Sequence, residues 1–216
     1  MSSSALTGMG FLTVEVIGTM AFAISGVMAA ARARMDWLGA AVLALVVAVG
    51  GGTLRDLLLG QLPVSWLVRI WPVFVALGTA AVMLVILRVW PNAQLDSSTP
   101  LLIADAAGLS AFVIIGTDVG LRADLNPILA VMLGVLTGVG GGVIRDLMTG
   151  NRPTVLVGQV YAVAGIAGAT WFVLLTWLQW NEQLVLWSSV AMVLGLRLIA
   201  IRRNWNLPKV MPEPQP

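Results

Sequence analysis

The sequence predicts an all-α polytopic membrane protein with seven transmembrane helices, arranged as two inverted three-helix repeats plus a seventh helix. Three observations carry this. First, 59% of the 216 residues are hydrophobic and only 10% are charged, against about 25% charged in an ordinary soluble domain. Second, the apolar residues fall into runs of about 20, the length needed to cross a bilayer. Third, a shift of 90 residues lays one half of the chain on the other without a gap.

The seven predicted spans are 9–30, 37–59, 66–89, 100–119, 126–149, 154–178 and 183–201. Short linkers rich in turn residues separate them, among them "ARARMD", "VWPNAQLDSSTP" and "GLRADLNP". The first run has no basic segment before it and carries Glu15 within it, so it reads as a span rather than a cleaved signal. Residues 202–216 include the polar, Pro-rich "NWNLPKVMPEPQP" and read as a disordered cytoplasmic tail.

Orientation follows from the basic residues. With the N-terminus outside, Arg32, Arg34, Arg88, Arg152, Arg202, Arg203 and Lys209 fall inside, and only Arg69 and Arg122 fall outside. The excess of arginine and lysine on one side predicts N-out and C-in, in the cell's inner (plasma) membrane.

The repeat is clearest at "GGGTLRDLLLG" (residues 50–60) and "GGGVIRDLMTG" (140–150), identical at seven of eleven positions. The same register places Glu15 over Asp105, Gly18 over Gly108, Phe22 over Phe112, Gly26 over Gly116, Arg32 over Arg122 and Pro63 over Pro153. Charged, Gly and Pro matches in one ungapped register mark a duplication. The repeats are residues 9–89 and 100–178. Each holds three spans, so the second enters the bilayer from the opposite side, and 183–201 stands outside the repeat. Inverted repeats are a common transporter architecture, with a site near the midplane at their interface.

Gly50, Gly51, Gly52, Gly140, Gly141 and Gly142 sit inside spans, where each glycine costs about 1 kcal/mol relative to alanine. Two readings follow. The triplets unwind or kink the helix, exposing carbonyls to a cation and a half-helix N-terminus to an anion; or they let helices pack closely, with Gly134, Gly138 and Gly142 forming a small-xxx-small ladder. The kink is the expected role.

Arg55 and Arg145 are intramembrane charges, which mark functional sites and require partners. Matched depths along the spans predict two cross-helix ion pairs, Glu15–Arg55 near one mouth and Asp105–Arg145 near the other. Asp56 and Asp146 adjoin the arginines, but neighbouring helix positions point about 100° apart, so separate partners are expected for them. Ser25, Thr19, Thr53, Thr117 and Thr137 either line a polar path or bond their own helix backbone.

The chain has no cysteine and no histidine. Disulfides, thiolate nucleophiles, histidine acid–base chemistry and soft-metal sites are therefore not expected, nor is an enzyme, a catalytic residue, a cofactor or a resident metal. The basic residues are scattered, so a nucleic-acid partner is not expected either.

Two "GGGxxRD" segments on inverted three-helix repeats, followed by a seventh helix, resemble the prokaryotic members of the TRIC (trimeric intracellular cation channel) family, the broad group that also includes bacterial putative glycine transporters. The resemblance spans about residues 9–201. It implies a homotrimer in membrane lipid with one ion path per protomer, permeable to potassium and less selectively to sodium. By motif, Gly50–Gly52 and Gly140–Gly142 become the kinks of the second and fifth helices, and Arg55 and Arg145 the charges near the path. The chain has a single lysine, Lys209, and so lacks the Lys-Glu-Val segment tied to lipid and calcium control in the animal channels. The alternative reading is a secondary transporter of a small zwitterion such as glycine.

Overall fold

A computed structural model describes residues 3–90, 99–156 and 160–205. Its elements are α1 (Ser3–Arg32), α2 (Trp37–Leu58), the short α3 (Ser65–Val68), α4 (Trp71–Val89), α5 (Thr99–Arg122), α6 (Pro127–Met148), a 3-10 turn (Thr154–Leu156), α7 (Ala162–Trp177) and α8 (Glu182–Arg202). Most of the predicted 202–216 tail, and the centre of the linker between α4 and α5, lie outside the described residues.

Six of these helices are long and apolar enough to cross a membrane: α1, α2, α4, α5, α6 and α8. The remaining predicted span, 154–178, is divided. Its helix begins only at Ala162 and has 16 residues, about 24 Å at 1.5 Å per residue, after a 3-10 turn. The third predicted span is divided likewise, because Ser65–Val68 forms a separate helical turn before α4. Pro72 explains the later start. It occupies the first turn of α4, where its missing N–H is unneeded.

The repeat is visible in the way the helices begin and end. Asp36 caps α2 by accepting from the Gly39 N–H at 2.6 Å, and Asn126, 90 residues on, caps α6 by accepting from the Ile128 N–H at 3.0 Å. At the other ends Gly60 and Gly150 adopt φ of 65° and 72°. The Gly60 N–H reaches the Leu57 carbonyl and the Gln61 N–H the Asp56 carbonyl; Gly150 to Leu147 and Asn151 to Asp146 repeat the pattern. These are paired Schellman endings, which favour glycine at the left-handed position.

Helices equivalent by the 90-residue shift meet each other antiparallel. On α1 and α5, Gly18 lies against Ala111 and Phe112, while Gly108 lies against Phe22. As the number rises on one helix it falls on the other. The same holds for α2 and α6, where Gly50 meets Ile144 and Gly140 meets Leu54. Reciprocal antiparallel contacts require a two-fold axis perpendicular to the helices, which is the arrangement of inverted repeats. Phe22 and Phe112 stack across this axis, with ring centroids 5.3 Å apart and planes 8° apart.

Helix α8 has no counterpart in the repeat and packs chiefly on α5 and α7. Helix α4 buries only Pro72, Ala76 and Ala80 and leaves Phe74, Val82 and Val85 exposed. That is the pattern of a helix with one packed stripe and a lipid-facing remainder.

Candidate functional site: two charged clusters on an inverted repeat

The glycine triplets create the site by close packing. Both α2 and α6 remain helical through Gly50–Gly52 and Gly140–Gly142, so the unwound segment expected from the sequence is absent. Each glycine of a triplet has its own neighbour. A Cβ on Gly51 would overlap the Thr137 carbonyl oxygen, and one on Gly141 would stand 2.5 Å from the Val47 carbonyl oxygen. Val47 and Thr137 are themselves equivalent, so the two helix backbones cross at reciprocal points. A Cβ on Gly50 would stand 2.6 Å from Ile144 Cδ1, and one on Gly140 3.0 Å from Leu54 Cδ1. Gly52 and Gly142 leave room for Arg55 and Arg145, whose Nη2 atoms lie 3.8 Å from the respective Cβ positions. A helix interior accepts the glycine cost here because a side chain would force the backbones apart.

One turn beyond each triplet stands an Arg–Asp pair. Arg145 is 1% exposed and Asp105 is 0% exposed; their Nη1 and Oδ1 atoms are 2.5 Å apart. The expected Asp105–Arg145 pair is therefore present. The same Nη1 donates to Ser25 Oγ at 2.5 Å, joining α1 of the first repeat to α6 of the second. Ser25 thus bonds an arginine of the other repeat. Thr19, Thr53, Thr117 and Thr137 all donate to carbonyls of their own helices.

The mirror pair does not form. No ion pair joins Glu15 to Arg55. Arg55 instead donates through Nε and Nη2 to Oδ1 of its neighbour Asp56, at 2.9 and 2.7 Å. Arg145 also engages Asp146 Oδ1, through Nε at 2.8 Å and Nη2 at 2.7 Å. Asp56 and Asp146 therefore do pair with the adjoining arginines, contrary to the expectation, through one carboxylate oxygen each. The 100° argument compares Cα–Cβ directions, whereas a long arginine side chain bends back along the helix to its neighbour.

The second carboxylate oxygen of each aspartate holds the chain that follows the helix. The Ser65 N–H donates to Asp56 Oδ2 at 2.7 Å. The Thr154 N–H and hydroxyl donate to Asp146 Oδ2 at 2.8 and 2.9 Å. Each aspartate therefore ties the end of its helix to the segment after Pro63 or Pro153, and satisfies a backbone donor that the bilayer could not.

The two clusters differ where the chain leaves the repeat. At the Arg145 end, Tyr161 lies 1% exposed just before α7, and Arg197 of α8 is 0% exposed with its guanidinium carbon 4.5 Å from the Tyr161 ring centroid. Sequence reasoning missed both residues. Tyr161 is the only tyrosine and Arg197 the only charge between Glu182 and Arg202, so an intramembrane arginine on the seventh span was the available signal. At the Arg55 end a cavity of about 30 Å³ is lined by Glu15, Thr19, Arg55, Trp66, Arg69 and Phe112. At the Arg145 end a cavity of about 440 Å³ is lined by Ala29, Arg32, Arg145, Asp146, Arg152 and Thr154, among others.

Paired charged clusters on inverted repeats, each beside a cavity, define a polytopic membrane protein with one cluster toward each end of its core. The relatives agree. Residues 12–88 and 102–177 match the family model described as "Glycine transporter", one match per repeat. The chain is 40% identical to the UPF0126 inner membrane protein YadS of Escherichia coli K12, covering 90% of this chain and 93% of that protein. It is 37% identical to the UPF0126 membrane protein YvgT of Bacillus subtilis, covering 93% and 96%. Among solved structures it resembles a chain from work on conductance through TRIC cation channels, with 35% identity, TM-score 0.82 and coverage of 94% and 98%. A TRIC trimeric intracellular cation channel orthologue from Rhodobacter sphaeroides superposes with TM-score 0.83 at 32% identity, covering 90% and 98%. The chain belongs to this family, the prokaryotic TRIC group.

Proposed function

We propose that the protein is a homotrimeric cation channel of the inner membrane, with one potassium-permeable path in each protomer and sodium as a second permeant ion. The observation that carries this reading is the 35% identity and 0.82 TM-score to a TRIC cation channel over 94% of the chain. The path follows the interface of the two repeats, where α1, α2, α5 and α6 meet and both cavities lie. Arg55 and Arg145, each neutralised by adjacent carboxylates, set the potential at the two mouths. Gly50–Gly52 and Gly140–Gly142 are the points at which α2 and α6 bend when the path opens. The N-terminus faces outward and the C-terminus the cytoplasm, as the arginine distribution favours.

The test is electrical. Purified protein in planar bilayers between potassium solutions should show unitary currents, with a reversal potential that shifts with the potassium gradient. Saturable glycine counterflow in liposomes, without unitary currents, would overturn the channel and establish the zwitterion transporter.

A further inference from the structure

We propose that Phe22 and Phe112 form a hydrophobic plug that closes the path at its centre, on the two-fold axis between the repeats. The proposal rests on the channel reading and adds to it the place and the means of closure.

One face of α1 carries the argument. Glu15 and Thr19 line the cavity at the Arg55 end; Ala29, Arg32 and Ala33 line the cavity at the Arg145 end. Ser25 lies between and holds Arg145. Positions 15, 19, 22, 25 or 26, 29 and 33 recur at the spacing that keeps residues on one side of a helix. The 18 residues from Glu15 to Ala33 rise about 27 Å, close to the thickness of the hydrocarbon core. Along this line the side chains are polar or small except at one point, Phe22.

At that point the plug is two rings thick. Phe112 forms part of the wall of the cavity containing Glu15. Phe22 stacks on it at 5.3 Å and faces away toward Gly141, whose Cβ position lies 3.1 Å from the ring. The rings are 1% and 6% exposed. Gly18 and Gly108 lie directly against them; a Cβ on Gly18 would stand 3.1 Å from Phe112 Cε2, and one on Gly108 would overlap Phe22. The rings therefore have no space to turn aside while α1 and α5 keep this spacing. An ion in either cavity meets an apolar barrier that cannot replace its hydration, and apolar constrictions of this kind gate by excluding water. Because the rings are equivalent by the repeat, a movement of α1 relative to α5 separates both together.

Potassium efflux from liposomes, with the protein reconstituted at equal density, tests the plug. Phe22→Ala and Phe112→Ala are each expected to raise basal efflux roughly tenfold or more, and Phe22→Leu to stay near the unmodified protein. Phe172→Ala is the control. That ring, on α7, is also buried and packs edge-on against Phe11, one turn before Glu15 and outside the stretch of α1 between the two cavities, and its loss should leave efflux unchanged. Unchanged efflux in Phe22→Ala and Phe112→Ala, or an equal rise in Phe172→Ala, would overturn the plug while the channel stands. If neither the unmodified protein nor any variant passes potassium, the channel reading fails.

A second route avoids dependence on the folding of the alanine variants. The chain contains no cysteine, so Phe112→Cys supplies a single thiol. Phe112→Cys should itself raise efflux, and a cationic thiol reagent added to the folded protein should label it, as read by mass, and lower that efflux, because a fixed positive charge in the path repels potassium. Failure to label under conducting conditions, or labelling without a change in efflux, also overturns the proposal.

Discussion

Arg145 donates through one nitrogen, Nη1, to both Asp105 and Ser25, each at 2.5 Å. This single atom joins α5 and α6 of the second repeat to α1 of the first. A guanidinium at 1% exposure is stable only with its charge matched, and removing one partner of a buried pair leaves the other uncompensated. Asp105→Asn is therefore expected to destabilise the protein by about 3–5 kcal/mol, read as a fall in the melting temperature in detergent. Replacing both partners, Asp105→Asn with Arg145→Met, should recover much of the loss. A double variant as unstable as the single would show that the cost lies elsewhere.

The triplet glycines should not be equivalent to other glycines. Gly51→Ala and Gly141→Ala place a methyl group against a backbone carbonyl of the facing helix, which cannot yield as a side chain can. Each should cost about 1–3 kcal/mol through overpacking. Gly78 and Gly195 have nothing within 4 Å of their Cβ positions. Alanine at either is expected to be neutral or to stabilise the helix by up to about 1 kcal/mol. Thermal melting of the four single variants decides the matter.

Asp56 and Asp146 each hold the segment beyond their helix. Asp56→Ala should free the Ser65 amide, and the expected result in hydrogen exchange is a faster rate confined to residues near 60–69. Thr154→Val removes one of two bonds to Asp146 Oδ2 while keeping the Thr154 backbone donor. Its cost should be about 1 kcal/mol, smaller than that of Asp146→Ala, which also leaves Arg145 short of a carboxylate.

Arg197 lies over the face of Tyr161, and its Nη1 reaches the Val160 carbonyl at 3.4 Å. The ring face attracts the guanidinium with or without the hydroxyl. Tyr161→Phe should therefore be tolerated much better than Tyr161→Leu, which removes the π-system. Equal melting temperatures for the two variants would remove the cation–π contact from the account of how α8 is held.

The amino-acid sequence alone determined the parts that repeat along the chain. Hydrophobic runs located the helices, although α4 and α7 begin later than the runs suggested, because apolar composition does not distinguish a span from the turn leading into it. The 90-residue register paired Asp36 with Asn126 and Gly60 with Gly150, and the structure makes those pairs matching caps. Depth along the spans found Asp105 opposite Arg145, since two charges at one level of a thin slab have few alternatives.

Only the tertiary structure decided which faces meet. Equal depth placed Glu15 and Arg55 in the wall of one cavity without an ion pair between them, whereas Arg145 holds both its adjacent carboxylate and Asp105. The triplets were legible as helix defects, but their use depends on a second helix crossing at reciprocal points, which a linear pattern does not encode. Phe22 and Phe112 looked like two of many apolar matches. Packing across the two-fold axis placed them against each other, because residues related by such an axis and lying near it must touch. Arg197, outside the repeat, had no equivalent to reveal it, and its place over Tyr161 follows from how α8 closes one side of an otherwise symmetric core.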